Sequence, residues 1–210
     1  MSSVWTQLEP HLAGVEKPAR YIGLELGAQR PDPGHGAVSW LLTYPDTYEI
    51  GLPNQGLQIL YEILNERDDA IAERAYAPWG DLESVMRRER IPLFSVDTHR
   101  PGGEFDVLAF NLSAELTYTN LLNCVDLAGV PVRAAERRPE HPLVAAGGHC
   151  TYNPEPLADF LDFVVLGDGE EVVSEITRVI AGWKASGRTE GSRQAVLREL
   201  SHVEGVYVPS

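Results

Sequence analysis

Four short apolar runs, separated by helix-like stretches and closed by polar or glycine-containing segments, constrain this chain more than anything else in it. They are VSWLLTY (38–44), FDVLAFNL (105–112), PLVAAGG (142–148) and DFVVLGDG (162–169). Runs of this length without polar alternation fit strands covered on both faces, the environment of a parallel sheet. Between the first two, NQGLQILYEILNE sets Leu57, Leu60, Tyr61 and Leu64 at helical spacing, with Asn54 placed to cap the helix. IAERAYA (71–77) predicts a further strand, DLESVMRRER (81–90) a helix capped by Asp81, and PLFSV (92–96) a short strand. A helix from about 116 to 128 is closed by Gly129 and Pro131. The stretch 169–187 carries Val172, Val173, Ile176, Val179 and Ile180 on one helical face, and a short helix follows over 194–200.

Strands alternating with helices predict right-handed crossovers and an α/β fold, a doubly wound, Rossmann-like parallel sheet. Residues 1–37 read as an N-terminal arm, with a short helix around Val4 to Leu12 and then a loop over the Gly/Pro-rich AQRPDPGHGA. Residues 38–187 form the domain, and 188–210 read as a linker.

Apolar residues make up 43% of the 210, enough for a substantial core. The net charge of -14 repels phosphate backbones and argues against direct nucleic-acid binding. Two cysteines, Cys124 and Cys150, are too few for a disulfide scaffold and fit a reducing compartment. The first residues lack the apolar core of a signal peptide, and no stretch reaches the roughly 20 apolar residues of a membrane span. A cytoplasmic location is the expectation.

Open parallel sheets bind ligands outside the carboxyl ends of their strands. The segments leaving those ends here are Pro45–Asn54, Asn111–Thr117, Gly147–Pro156 and Gly167–Glu171, and three of them contain glycine, which lets backbone approach a ligand closely. A nicotinamide fingerprint would need G-x-G-x-x-G after the first strand; the segment reads PDTYEIGLPNQG instead. Gly167-Asp168-Gly169 has two of those glycines and Val172 at the third place.

More specific are YPDTYEIGLPNQGLQILYEILNE (44–66), APWGDLESVMR (77–87), PLFSVDTHRP (92–101), FDVLAFNLSAELTYTNLLNCVDLAGVPV (105–132), PLVAAGGHCTYNPEPLADFLD (142–162) and VVLGDGEEVVSEI (164–176). In this order they resemble the N-terminal half of a family of large radical S-adenosylmethionine proteins, in which a cobalamin-binding-like domain precedes the radical barrel. The resemblance runs from about residue 4 onwards, and LSHVEGVYVPS resembles the segment leading into the barrel. It implies a corrinoid lying over the strand ends and facing Tyr44, Pro45, Tyr48, Gly51 and Asn54. The nucleotide tail would run near Ser113, Glu115, Gly147 and Gly148, and Gly167, Asp168, Gly169 and Glu170 would close the pocket. In the barrel, a C-x-x-x-C-x-x-C loop holds the [4Fe–4S] cluster that binds S-adenosylmethionine. Cys124 and Cys150 are far apart and have no third companion, so that cluster and S-adenosylmethionine belong to a barrel in cis or in trans. No catalytic residue and no metal ligand is assigned to this stretch.

Asp97-Thr98-His99-Arg100-Pro101-Gly102 matches the D-x-H-x-x-G pattern that supplies a cobalt ligand in one class of corrinoid domains. That motif follows the first strand, however, whereas two strand–helix units precede it here, and His99 reads as a loop histidine. His149-Cys150 lacks the further ligands zinc requires. Cys124 reads as a small core hydrophobe, Asp168, Glu170 and Glu171 as carboxylates complementing a helix start, and Arg133, Arg137 and Arg138 as a solvated loop. Three functions follow: a corrinoid module serving a radical enzyme, a cofactor-free interaction module of the same family, and an independent small-molecule binder of doubly wound type.

Overall fold

The computed structural model describes residues 3–25, 27–28 and 37–209. The Gly/Pro-rich stretch read as a loop lies mostly outside the described residues. Strands β1 (Val38–Tyr44), β2 (Ala70–Tyr76), β3 (Val107–Asn111), β4 (Leu143–Gly147) and β5 (Phe163–Val165) pair in parallel, and β6 (Val206–Tyr207) adds antiparallel to β5. The spatial order among the described residues is β2-β1-β3-β4-β5-β6. This is the doubly wound α/β fold. All five parallel strands point their carboxyl ends to one rim. The connection out of β1 turns one way and the return to β3 the other, so the switch point falls between β1 and β3.

Period-two alternation divides the sheet into two cores. On one face Leu41, Leu108, Phe110, Val144 and Val164 pack with helices α1 (Trp5–Leu12), α4 (Gly80–Glu89) and α5 (Tyr118–Leu127). On the other, Trp40, Leu42, Val107, Leu143, Ala145 and Phe163 face α3 (Gln55–Asn65), α6 (Gly169–Ala185) and α7 (Glu190–Leu200). Asn54 caps α3, its Oδ1 accepting from the Leu57 amide at 2.9 Å.

Several expectations are corrected. Residues 92–96 do not enter the sheet; a single antiparallel bridge joins Phe94 to Pro101. The Leu93 and Val96 amides are spent instead on the carbonyls of Leu127 and Arg74. Asp81 does not cap α4, since Trp79 holds that position; its carboxylate accepts from the Leu82 amide and from the Glu16 amide, which ties the arm down. A short helix, α2 (Tyr48–Gly51), forms within the segment read as loop, and a 3-10 turn over Glu115–Thr117 precedes α5. Residues beyond 187, read as a linker, pack on the sheet, with Val196, Leu200 and Val203 buried.

Arg137 is not solvated. Its Nη1 donates to Asp162 at 2.8 Å, and Arg193 of α7 donates to the other Asp162 oxygen at 3.0 Å. The Asp162 carboxylate also accepts from the Val144 amide at 2.7 Å, so one buried charge joins β4, α7 and the 131–138 segment. Asp106 plays the same part before β3, accepting from the amide and hydroxyl of Ser39 and from Lys184, with Arg188 beside it.

Removing one member of a buried ion network leaves the other charges uncompensated. Asp162→Asn should therefore cost about 3–5 kcal/mol in urea unfolding. Asp159→Asn, whose partner Arg133 is exposed, should leave the midpoint nearly unchanged.

Candidate functional site

Helices α3 and α6 close on the amino-terminal half of their sheet face but stand off its carboxyl half. Val38, Val107, Leu143, Ile180 and Trp183 fill the closed part. Further along the same strands the inward positions are Ala109 and Asn111 of β3 and Ala145 and Gly147 of β4. Small residues there leave a cavity of about 340 Å³ between the sheet and the two helices. That volume lies at the low end of small-molecule sites. Trp40, Phe163 and Ile176 line its deep end, and Leu57, Leu60, Val172 and Val173 line its helical wall. Trp40 precedes the end of β1 by four residues, which at about 3.3 Å each sets it roughly 13 Å below the rim.

The mouth is polar. The Asn111 amide donates to Asn54 Oδ1 at 3.3 Å, and the Ser113 hydroxyl donates to Asn111 Oδ1 at 2.9 Å. This chain of contacts spans the switch point and holds the start of α3 against the end of β3. His149 and Tyr152, in the 3-10 turn after β4, and residues 167–170 complete the border. The first turn of α6 carries Glu170 and Glu171, so this helix start complements its own dipole and disfavours a polyphosphate. Around the mouth Tyr152 is exposed, as are Ile50 in α2 and Leu116 in the 3-10 turn before α5, both at the same rim.

Of the residues expected to bind a cofactor, Asn54, Ser113, Gly147, Gly148, Gly167, Asp168, Gly169 and Glu170 all line this cavity. Tyr44, Pro45, Tyr48, Gly51 and Glu115 do not. Tyr44 is buried, and the Pro45 carbonyl accepts from Asn120 at 3.0 Å. Gly51 is a packing glycine: a Cβ there would sit 2.5 Å from the Tyr76 ring. Tyr48 meets Tyr76 edge-on at 5.3 Å, and burial with the nearby Glu25 carboxylate pushes its phenol up to about 12. Glu115 is exposed on its turn.

The sequence reading missed Trp40, Leu57, Leu60, Ala109, Ala145, Phe163, Val173 and Ile176. Each satisfies the apolar pattern of its element. Only the two alanines, at matching places in adjacent strands, hint at a gap.

The D-x-H-x-x-G match is structural. Asp97 accepts from the Arg74 amide and guanidinium, both at 2.7 Å, and Arg74 lies over the Tyr61 ring at 4.4 Å. His99 is buried beside Trp5 and Phe94, with Nε2 2.8 Å from the Tyr21 carbonyl oxygen, and does not line the cavity. Cys124 is buried in the opposite core, where burial pushes its thiol up to about 12. Among the described residues, no group of three or more His, Cys, Asp or Glu is placed to hold a metal ion, and no helix is long and apolar enough to cross a membrane.

Fold and site together define a doubly wound α/β domain with a small-molecule-sized slot at its switch point. A family model described as "Radical SAM proteins, N-terminal" matches residues 56–209, and the chain belongs to that family. No curated protein and no solved structure shows a significant match to it.

Gly148 has φ 107° and ψ 180°, a region that is essentially glycine-only, and a Cβ there would lie 2.8 Å from the Leu112 carbonyl oxygen. Gly167 has φ 100° with open space around it. In thermal unfolding, Gly167→Ala should cost about 1–3 kcal/mol from backbone strain alone. Gly148→Ala should cost clearly more, and equal losses would contradict the close approach of β4's end to Leu112.

Proposed function

We propose that this domain is a corrinoid module: the slot receives the nucleotide tail of a cobalamin, and the rim above it supports the macrocycle for a radical S-adenosylmethionine barrel supplied in cis or in trans. The observation that carries this reading is the alanine-floored slot, which opens at the switch point. It is too small for a corrin ring, yet deep enough for a flat base and its sugar. Family membership supports the link to a radical S-adenosylmethionine partner. The polar mouth suits a ribose, because the Asn111 and Ser113 side chains offer amide and hydroxyl groups where a sugar would pass. Bound there, a corrinoid supplies a cobalt–carbon bond for group transfer. The protein's part is to hold the tail, orient the ring and exclude water from the buried end.

A second reading, a cofactor-free interaction module, draws on the exposed apolar side chains of the rim. Leu116 is 91% exposed and Tyr152 76%. Exposed apolar groups of this size mark contact surfaces. The rim and the slot serve the first reading jointly, whereas the second gives the slot no purpose.

Hydroxocobalamin titrated into the purified chain should produce a saturable change in its visible spectrum. Ala145→Leu plugs the slot without touching a strained glycine. That variant should fold normally by circular dichroism and lose the spectral change. Unaltered binding by a folded Ala145→Leu protein would remove the tail from the slot.

A further inference from the structure

Asn54 serves two partners with one oxygen. Its Oδ1 accepts from the Leu57 amide at 2.9 Å, which caps α3, and from Asn111 Nδ2 at 3.3 Å. A backbone N–H can only donate, so the cap fixes which end of the Asn54 amide turns inward. The polarity of the mouth then follows link by link. Asn111 presents Nδ2 to Asn54, which leaves its Oδ1 to accept the Ser113 hydroxyl proton at 2.9 Å. Among the described residues, Asn54 keeps both N–H groups of its Nδ2, Asn111 keeps one, and Ser113 Oγ keeps only lone pairs. All three residues line the slot; Ser113 is exposed, the two asparagines are half-buried, and none of these atoms is a sealed polar atom without a partner. Gly56 borders them without a side chain, where a Cβ would lie 3.5 Å from Asn111 Nδ2.

Charge narrows what these groups can take. Asp168 and Glu170 line the slot and no lysine or arginine does, so an anionic group is disfavoured there. An ammonium brings only donors and would meet the amide donors head-on. A carbonyl or ether oxygen accepts from the amides but offers Ser113 nothing. A hydroxyl both accepts and donates.

We propose that the cap of α3 makes the mouth a reader of neutral hydroxyl groups: the free N–H groups of Asn54 and Asn111 donate to them, and Ser113 Oγ accepts from them. The inference deepens the corrinoid reading and rests on it only in that a nucleotide tail carries such hydroxyls on its sugar. Asn54 and Ser113 are thereby specificity-determining residues, and Asn54 is so apart from its service to the helix.

The test uses two neutral probes in calorimetric titrations, α-ribazole (the ribonucleoside of 5,6-dimethylbenzimidazole) and its 2′,3′-dideoxy counterpart. The unaltered chain should bind α-ribazole roughly five- to tenfold more tightly, the worth of about one hydrogen bond. Asn54→Asp keeps an oxygen for Leu57 and Asn111, and so keeps the cap, but turns the outward donor into an acceptor. It should remove that preference and leave the dideoxy nucleoside nearly unaffected; a purely capping role would leave both constants unchanged. Ser113→Ala, at an exposed side chain, should weaken α-ribazole in the same direction and decides the matter should Asn54→Asp fail to fold. Equal affinities in the unaltered chain, an unchanged preference in the folded variants, or binding of neither nucleoside would overturn the proposal. Its failure is separable from that of the corrinoid reading. A chain that answers hydroxocobalamin in the visible spectrum but treats both nucleosides alike keeps the corrinoid and loses the reader. One that separates the nucleosides but ignores hydroxocobalamin does the reverse.

Discussion

The structure depends on a mismatch in side-chain size between the two faces of one sheet. Along β3 and β4, the face towards α4 and α5 carries Leu108, Phe110 and Val144, and its core is filled. The face towards α3 and α6 carries Ala109, Ala145 and Gly147 over the same stretch. Large residues at the amino-terminal half, Val107 and Leu143 against Ile180 and Trp183, fix how close the helices come. The small residues above them cannot fill the remaining gap. Protein interiors are close-packed, so an opening of this size along an otherwise buried face calls for an occupant.

Positive charge is kept away from that opening. Asp106 and Asp162 sit just before β3 and β5, at the rim opposite the slot, and gather Lys184, Arg188, Arg137 and Arg193 there. Arg74, Asp97 and Glu25 form a second network at the β2 flank. The ligand rim is left with amides, hydroxyls and an acidic helix start. This division fits a ligand whose buried end is neutral and whose polar portion stays at the mouth.

Much of the fold was legible because buried parallel strands announce themselves as unbroken apolar runs, and 38–44 and 105–112 are such runs. The glycine-bearing turns after β4 and β5 were equally plain, and they do border the slot. What escaped was the slot's interior. Ala109, Ala145 and Trp40 obey the same apolar pattern as their fully packed neighbours, and pattern carries no information on volume. Arg137 was misread because three arginines in a short stretch look solvated until Asp162, 25 residues on, is brought against one of them. The D-x-H-x-x-G letters were the opposite case, a match to a ligand motif that its place after two strand–helix units marked as a loop histidine. Position along the chain, not composition, put His99 beside Tyr21 rather than at the ligand rim.

The central claim is that a buried tail, not the rim alone, anchors the ligand. The measurement that addresses it most directly is a comparison of dissociation constants for hydroxocobalamin and for cobinamide, the corrinoid lacking the nucleotide tail. Anchorage in the slot predicts that cobinamide binds at least a hundredfold more weakly, since it forfeits nearly all of the buried contact, an affinity loss of about 2.7 kcal/mol. Equal affinities would show that the space beneath the rim takes no part in holding the cofactor.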